Sequence, residues 1–392
     1  MIAQIHSKPS SYRSLFLLRP DIVFLNHGSF GATPIPVFER YQSWQRELER
    51  QPVEFLGRRA KNLLAQSRAV LAEYLHTRPD NLVYVTNATT GLNIIARSLN
   101  LSEQDEVLST DHEYGALDRT WRFLAQKRGF KYINQPINLP VEKTDQILAD
   151  FWAGVSSNTK VIFISHITSP TAIILPVKDI CNLARLRGIL TIVDGAHAPG
   201  QIDLDLEDIG ADFYVGNLHK WLCAPKGSAF LYARPEVQHL IEPLVVSWGW
   251  ESETPGESSF IDYLEWSGTR DISAFLTVPD AIQFQRQLDW NALRLKCHQL
   301  AALTRRVIEE VIDQPALYPD DPLWYMQMGS VPLPNGIDPL AVQERLYQEF
   351  KVEIPVTHWR NQHFIRFSLQ IYNDESDILT LKKALSDILC KA

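Results

Sequence analysis

"VDGAHAPGQIDLDLEDIGADFYVGNLHKWLCAPKGSAFLY", residues 193–232, sets an acid, a histidine and a lysine at the ends of short strand-like runs. "LTIVD" (190–194) closes on Asp194, "DFYVG" (212–216) leads into Asn217, His219 and Lys220, and "SAFLYA" (228–233) follows. Runs of Ile, Val, Phe and Tyr bounded by Gly, Pro, Asp and Asn predict buried strands. The same punctuation extends towards the N-terminus. "NLVYVT" (81–86) precedes helical "TTGLNIIARSL" (89–99), "DEVLST" (105–110) precedes "YGALDRTWRFLAQKRG" (114–129), and "KVIFISH" (160–166) precedes "VKDICNLARLRG" (177–188). Such alternation predicts an α/β fold with a mostly parallel sheet sandwiched by helices and ligands at the carboxyl ends of its strands. Asp194, Asn87 to Thr90 and Asp111 to Tyr114 each follow a strand and so converge on one crevice.

Beyond Pro279 the pattern changes to longer helices, "AIQFQRQLDW" (281–290) and "CHQLAALTRRVIEEVI" (297–312), then a strand-like "HFIRFSLQIY" (363–372) and a closing amphipathic "ESDILTLKKALSDIL" (375–389). We expect a large α/β domain over 21–280 and a smaller α+β domain formed by 1–20 with 281–392. "SWGWESETPGESSF" (247–260) reads as an exposed excursion that reaches a partner subunit.

The 392 residues are 45% hydrophobic and 21% charged, an ordinary globular composition with enough chain for a sizeable core. A formal charge of −8 argues against a nucleic-acid partner, whose phosphates require a basic face. The four cysteines form no CxxC pair, which disfavours a disulfide scaffold or a zinc ribbon and fits a reducing, cytoplasmic setting. No apolar run approaches the ~20 residues of a membrane span.

Lys220 after a buried strand, beside His219 and Trp221, meets the conditions under which an ammonium pKa falls and the amine becomes a nucleophile or base. Asp194 alone reads as a turn-former or helix cap. Facing a pyridine nitrogen, it would keep a ring protonated and electron-withdrawing, the chemistry of pyridoxal 5'-phosphate (PLP), which requires a lysine and an acidic partner. "TNATTGLN" (86–93) puts small hydroxylated residues at a helix start, where free N–H groups favour a phosphate; Thr89 and Thr90 are the candidates.

"FLNHGSFGATP" (24–34), "TNATTGLN", "DHEYGALDRTWRF" (111–123), "VDGAHAPGQIDL" (193–204), "GNLHKWLCAPKGSAFLY" (216–232), "EWSGTRD" (265–271) and "RFSLQIYN" (366–373) together resemble the class V aminotransferase group of fold-type I PLP enzymes, closest to the isopenicillin-N epimerase-like branch. The resemblance implies the fold-type I transferase architecture with a seven-stranded-type sheet. It makes Lys220 the cofactor-bearing lysine, Asp194 the ring-nitrogen partner, and His197 a neighbour of the ring's phenolic oxygen. Asn217 and His219 join Thr89 and Thr90 at the phosphate. His112 matches the ring-stacking residue, with Tyr114 an alternative on physical grounds; the same two are the candidates for a second proton donor. Thr269 lies on a loop that crosses to the other subunit's phosphate, so a homodimer with shared sites is implied, and Arg270 is a further anion contact. Arg366 matches the arginine that grips a substrate α-carboxylate, a role suited to its planar fork. Asn26 and His27 would line the substrate side. Ser169 stands where many relatives place an asparagine.

Desulfurases of this group carry a nucleophilic cysteine upstream of that arginine, and none occurs between Cys297 and Arg366. The expected activity is epimerisation at the α-carbon of an amino-acid-type substrate. A C–S lyase or an aminotransferase remains open, because all three share the removal of one proton. Outside these, a non-catalytic binding module has no need of the lysine, a triad hydrolase lacks the G-x-S-x-G elbow, and a metal site on His112, His197 and His219 lacks a compact ligand spacing.

Overall fold

A computed structural model describes residues 12–389. Residues 1–11 of the expected small-domain segment, and 390–392, lie outside the described residues. The seven strands of the main sheet are β1 (Leu82–Val85), β2 (Glu106–Thr110), β3 (Lys131–Gln135), β4 (Thr159–Ser165), β5 (Leu190–Asp194), β6 (Phe213–Asn217) and β7 (Ala229–Ala233). They run in the order β1-β7-β6-β5-β4-β2-β3. β7 is antiparallel to both of its neighbours, and all other pairings are parallel. All the strands that carry candidate residues therefore end on one edge of the sheet.

The pleat explains why the strands read as continuous apolar runs. On β4, Ile162 and Ile164 pack into the larger core while Val161 and Phe163 pack into the core on the opposite face. A sheet buried on both faces has no polar side to alternate with. Helices α1 (Ile35–Arg50), α2 (Ala60–Tyr74), α3 (Ala88–Ser98), α4 (Gly115–Arg128) and α5 (Val177–Leu186) form part of the covering layers. β3 carries no apolar run and gives no strand signal. Its residues are exposed or half-buried, as an edge strand permits, and its pairing to β2 alone defines it.

The C-terminal part contains an antiparallel sheet of β8 (Met328–Pro332), β9 (Val356–Trp359) and β10 (Gln362–Ser368), in the order β9-β10-β8. Helix α6 (Trp290–Ile312) packs against α7 (Glu375–Leu389) behind it. Val23–Phe24 pairs in parallel with Val352–Glu353, and Leu25 O accepts from Ser368 N at 2.8 Å. The chain just after residue 21 is thus stitched to the C-terminal strands before it reaches the main sheet.

That stitch positions the lysine loop. Gly28 N donates to Ser368 Oγ at 3.0 Å, and the turn ends at Gly31, whose φ of +71° lies in the region that favours glycine. A Cβ at Gly31 would sit 2.0 Å from the backbone oxygen of His219. Gly31→Ala is therefore expected to destabilise the protein by about 1–3 kcal/mol through backbone strain and overpacking, measured by denaturant unfolding. An unchanged midpoint would show that the loop yields without cost.

Candidate active site

The carboxyl ends of β1, β4, β5 and β6 and the loop after β2 enclose a cleft of about 370 Å³, lined among others by Thr89, Tyr114, Ser165, Asp194, His197 and Lys220. Lys220 follows β6 on a tight turn, and its Nζ lies 3.1 Å from His197 Nε2. Burial brings the Lys220 pKa down to about 7; Arg366 pushes the same way and Asp194 opposes. His197 is 4% exposed and is held well below its ordinary value by burial, then by Lys220, Arg366 and His219.

Asp194, 3% exposed at the end of β5, accepts from Ala196 N at 2.9 Å. Burial lifts its pKa to about 6, against the pull of that N–H and of Lys220. Ser165 is its partner in the β4–β5 register. Behind Ser165 lies a second buried carboxyl, Glu113, which accepts from Ser165 Oγ at 2.5 Å and Thr110 Oγ1 at 2.7 Å. Burial raises it to about 7, and Asp194 adds to the shift.

Arg366 on β10 is 5% exposed. Its Nη1 donates to Ser169 O at 2.8 Å and Ser169 Oγ at 3.0 Å, its Nη2 donates to Ser29 Oγ at 3.2 Å, and its Nε has no partner. Both serines line the cleft. A guanidinium surrounded only by neutral oxygens is costly to bury, and burial lowers its pKa to about 10. A ligand carboxylate would complete it.

At the head of α3, Asn87 Oδ1 accepts from Thr90 N at 2.8 Å, and Asn217 Oδ1 accepts from Ala88 N at 2.8 Å. Thr89 lines the cleft in this first turn, where backbone N–H groups lack intrahelical acceptors. His219 Nδ1 donates to Ser228 O at 2.9 Å, and burial lowers its pKa to about 4. Asn217 and His219 both line the same cleft.

Several expected residues lie elsewhere. His112 is 1% exposed, with Nδ1 bonded to Thr171 Oγ1 at 2.8 Å, Nε2 donating to Ile137 O at 2.9 Å, and its ring packed against Trp359 at 4.3 Å. It does not line the cleft, whereas the half-exposed Tyr114 does. His27, fully buried and pushed down to about 3 by desolvation, accepts from Tyr372 OH at 2.9 Å and donates to Lys220 O at 3.0 Å. Asn26 donates to Glu353 at 3.0 Å and accepts from Ser29 Oγ at 2.5 Å. These two brace the lysine loop and the arginine shelf and do not line the cleft. Thr90 turns into a neighbouring cavity that it shares with Thr86 and Arg270. Exposed Thr269 and half-buried Arg270, whose Nη2 donates to Glu265 O, do not reach the cleft of their own chain.

Glu113, Ser165 and Ser29 went unpredicted. A carboxylate normally seeks water, so nothing in "DHEYG" announces that Glu113 turns inward. Two serines in ordinary turn and strand positions carry no signal until Arg366 and Glu113 pack against them.

The donor set fits PLP: an amine poised near neutrality to bear an aldehyde, a buried carboxyl for a ring nitrogen, and a helix start with Asn217 and His219 for a phosphate. None of the three described cysteines lines this cleft.

Comparison with known proteins agrees. The model of the family "Aminotransferase class-V" matches residues 32–381. The chain is 36% identical over 385 residues to the isopenicillin N epimerase of Streptomyces clavuligerus, covering 95% of this chain and 96% of that one. It is 28% identical over 404 residues to a probable chloroplastic L-cysteine desulfhydrase of Arabidopsis thaliana, covering 94% and 83%. Among solved structures it resembles a variant of the cystine C–S lyase C-DES with glycine covalently linked to its PLP cofactor, with a TM-score of 0.83, 22% identity, and coverage of 96% and 99%.

The electrostatics of Lys220 are open to direct measurement. In protein freed of bound aldehyde, labelling of Lys220 by an amine-reactive reagent should titrate with a midpoint near pH 7. Asp194→Asn removes the group that raises the pKa and should lower the midpoint, while Arg366→Gln removes a repelling cation and should raise it. Mass spectrometry of the labelled peptide across pH checks both signs.

Proposed function

The chain belongs to the class V aminotransferase family, and from that premise we propose that it inverts configuration at the α-carbon of an amino-acid-type substrate, as its isopenicillin N epimerase relatives are named for doing. The observation that carries the reading is a buried guanidinium without a carboxylate partner, Arg366, held directly behind Ser29 and Ser169, which line the cleft with Lys220 and Asp194. When bound, PLP draws electrons from the carbon that bears the substrate amine, which makes the α-proton acidic. Lys220 would hold the cofactor through Nζ, and Asp194 would keep the ring nitrogen protonated. Thr89, Asn217 and His219 would hold the phosphate.

Arg366 receives the substrate carboxylate in a planar, two-pronged contact, which fixes the α-carbon relative to Lys220. Lys220 Nζ takes the α-proton, a task suited to an amine whose pKa is near neutrality. For return of the proton from the other side, Tyr114 is the group we assign, since of the two donors considered it alone lines the cleft. The placement of the three described cysteines, all outside the cleft, supports inversion over sulfur transfer.

In deuterated solvent, an amino-acid substrate should incorporate deuterium at the α-carbon and yield both stereoisomers without pyruvate or keto acid. Lys220→Ala should slow this exchange by roughly 10²- to 10⁴-fold. Pyruvate or sulfide as the main product would replace the epimerase reading with a lyase one.

The assembly we propose is a homodimer. Leu244, Val245, Val246, Trp248 and Trp250 form an exposed apolar run, with Trp248 84% exposed, beside the cavity that carries Thr90 and Arg270. A second copy that covers this run could bring Thr269 to the partner's phosphate site. Light scattering should give twice the chain mass, and Trp248→Glu should reduce it to one. No helix among the described residues is long and apolar enough to cross a membrane.

A further inference from the structure

His197 touches the active-site lysine with one ring nitrogen and an indole with the other. Trp221 Nε1 lies 3.3 Å from His197 Nδ1, and Trp221 is fully buried. An indole N–H is a donor only, so Nδ1 must present its lone pair. A neutral imidazole has one proton, which then sits on Nε2, 3.1 Å from Lys220 Nζ. An ammonium can only donate, so two hydrogens would collide across that contact; a neutral amine has a lone pair to accept with.

We infer that Trp221 is a positioning residue that commits His197 to carry its proton on Nε2, so that the imidazole donates to Lys220 Nζ and selects the neutral amine. The inference about the free protein stands on these contacts alone. That the same N–H serves an oxygen on the cofactor ring after loading rests on the reading above. The groups that face this pair are Lys220 and His219 from the loop after β6, Arg366 from β10, and Asp194 from β5. Lys220, Arg366 and His219 each disfavour a charged His197, which keeps the ring neutral. The direction of the Lys220 shift agrees. His27, whose ring lies 5.1 Å from Trp221, helps hold the indole in place.

The test is nitrogen NMR of full-length protein labelled at histidine and freed of bound aldehyde, with the His197 signals assigned by their loss in His197→Gln. The expected result is a neutral ring protonated on Nε2 with an unprotonated Nδ1 that accepts a hydrogen bond. Trp221→Phe should release a population protonated on Nδ1. Nε2 can then accept from the ammonium, which raises the Lys220 labelling midpoint by about one pH unit and cuts labelling near pH 7 several-fold. A ring protonated on Nδ1 in the wild-type protein would overturn the inference, as would a Trp221→Phe protein with tautomer and midpoint unchanged. If that variant does not fold, the wild-type tautomer decides. A merely structural indole would lower stability without moving either readout. Failure to bind PLP would sink the functional reading and leave this result intact.

Discussion

A positive charge has no comfortable place on Lys220. Its amine is packed by protein at the foot of a cleft, with the Arg366 guanidinium close enough to repel a proton and His197 turned towards it in a form that cannot welcome one. The neighbouring Asp194 offsets this only in part, because its own burial makes ionisation costly. Burial sets the scale and the neighbours set the balance, which leaves a lysine and a carboxyl that both titrate near neutrality. Most other features of the site maintain that balance.

Two frameworks hold it. The parallel sheet brings four strand ends to one edge, so Asp194, Ser165, Asn217 and the head of α3 are fixed by backbone pairing that extends through both cores. The second framework is the turn at residues 26–31, clamped between β10 and the lysine loop. His27 spans from Tyr372 to the Lys220 carbonyl, and Ser29 passes from Asn26 to Arg366. Arg366 and Lys220 thus come from distant parts of the chain yet are joined by one bridge of hydrogen bonds. This is why Asn26 and His27, expected on the substrate side, instead brace Ser29 and the Lys220 loop.

Buried charge explains the remaining architecture. Arg366 is surrounded by serine oxygens that satisfy part of its hydrogen-bonding capacity and none of its charge, an arrangement that favours an incoming carboxylate. Glu113 repeats the theme with the opposite sign, two hydroxyls and no cation, and it adds a second proton-holding group behind Asp194.

Much of the sheet was legible along the chain, since a strand buried on both faces must be an apolar run and must end where polar loop residues begin. Lys220, Asp194 and Thr89 stood out because they follow strand ends at the ligand edge of a parallel sheet, and His197, Asn217 and His219 through the resemblance to class V aminotransferases; all six line one cleft. β3 was not, since an edge strand needs no apolar run. Orientation was beyond sequence: His112 and Tyr114 stand two residues apart on one loop, and only packing against Trp359 and Thr171 turns one inward and leaves the other on the cleft. Local sequence determined which residue types gather at an edge. The fold alone decided which atoms face each other, because hydrogen-bond partners and burial are properties of contacts between segments hundreds of residues apart.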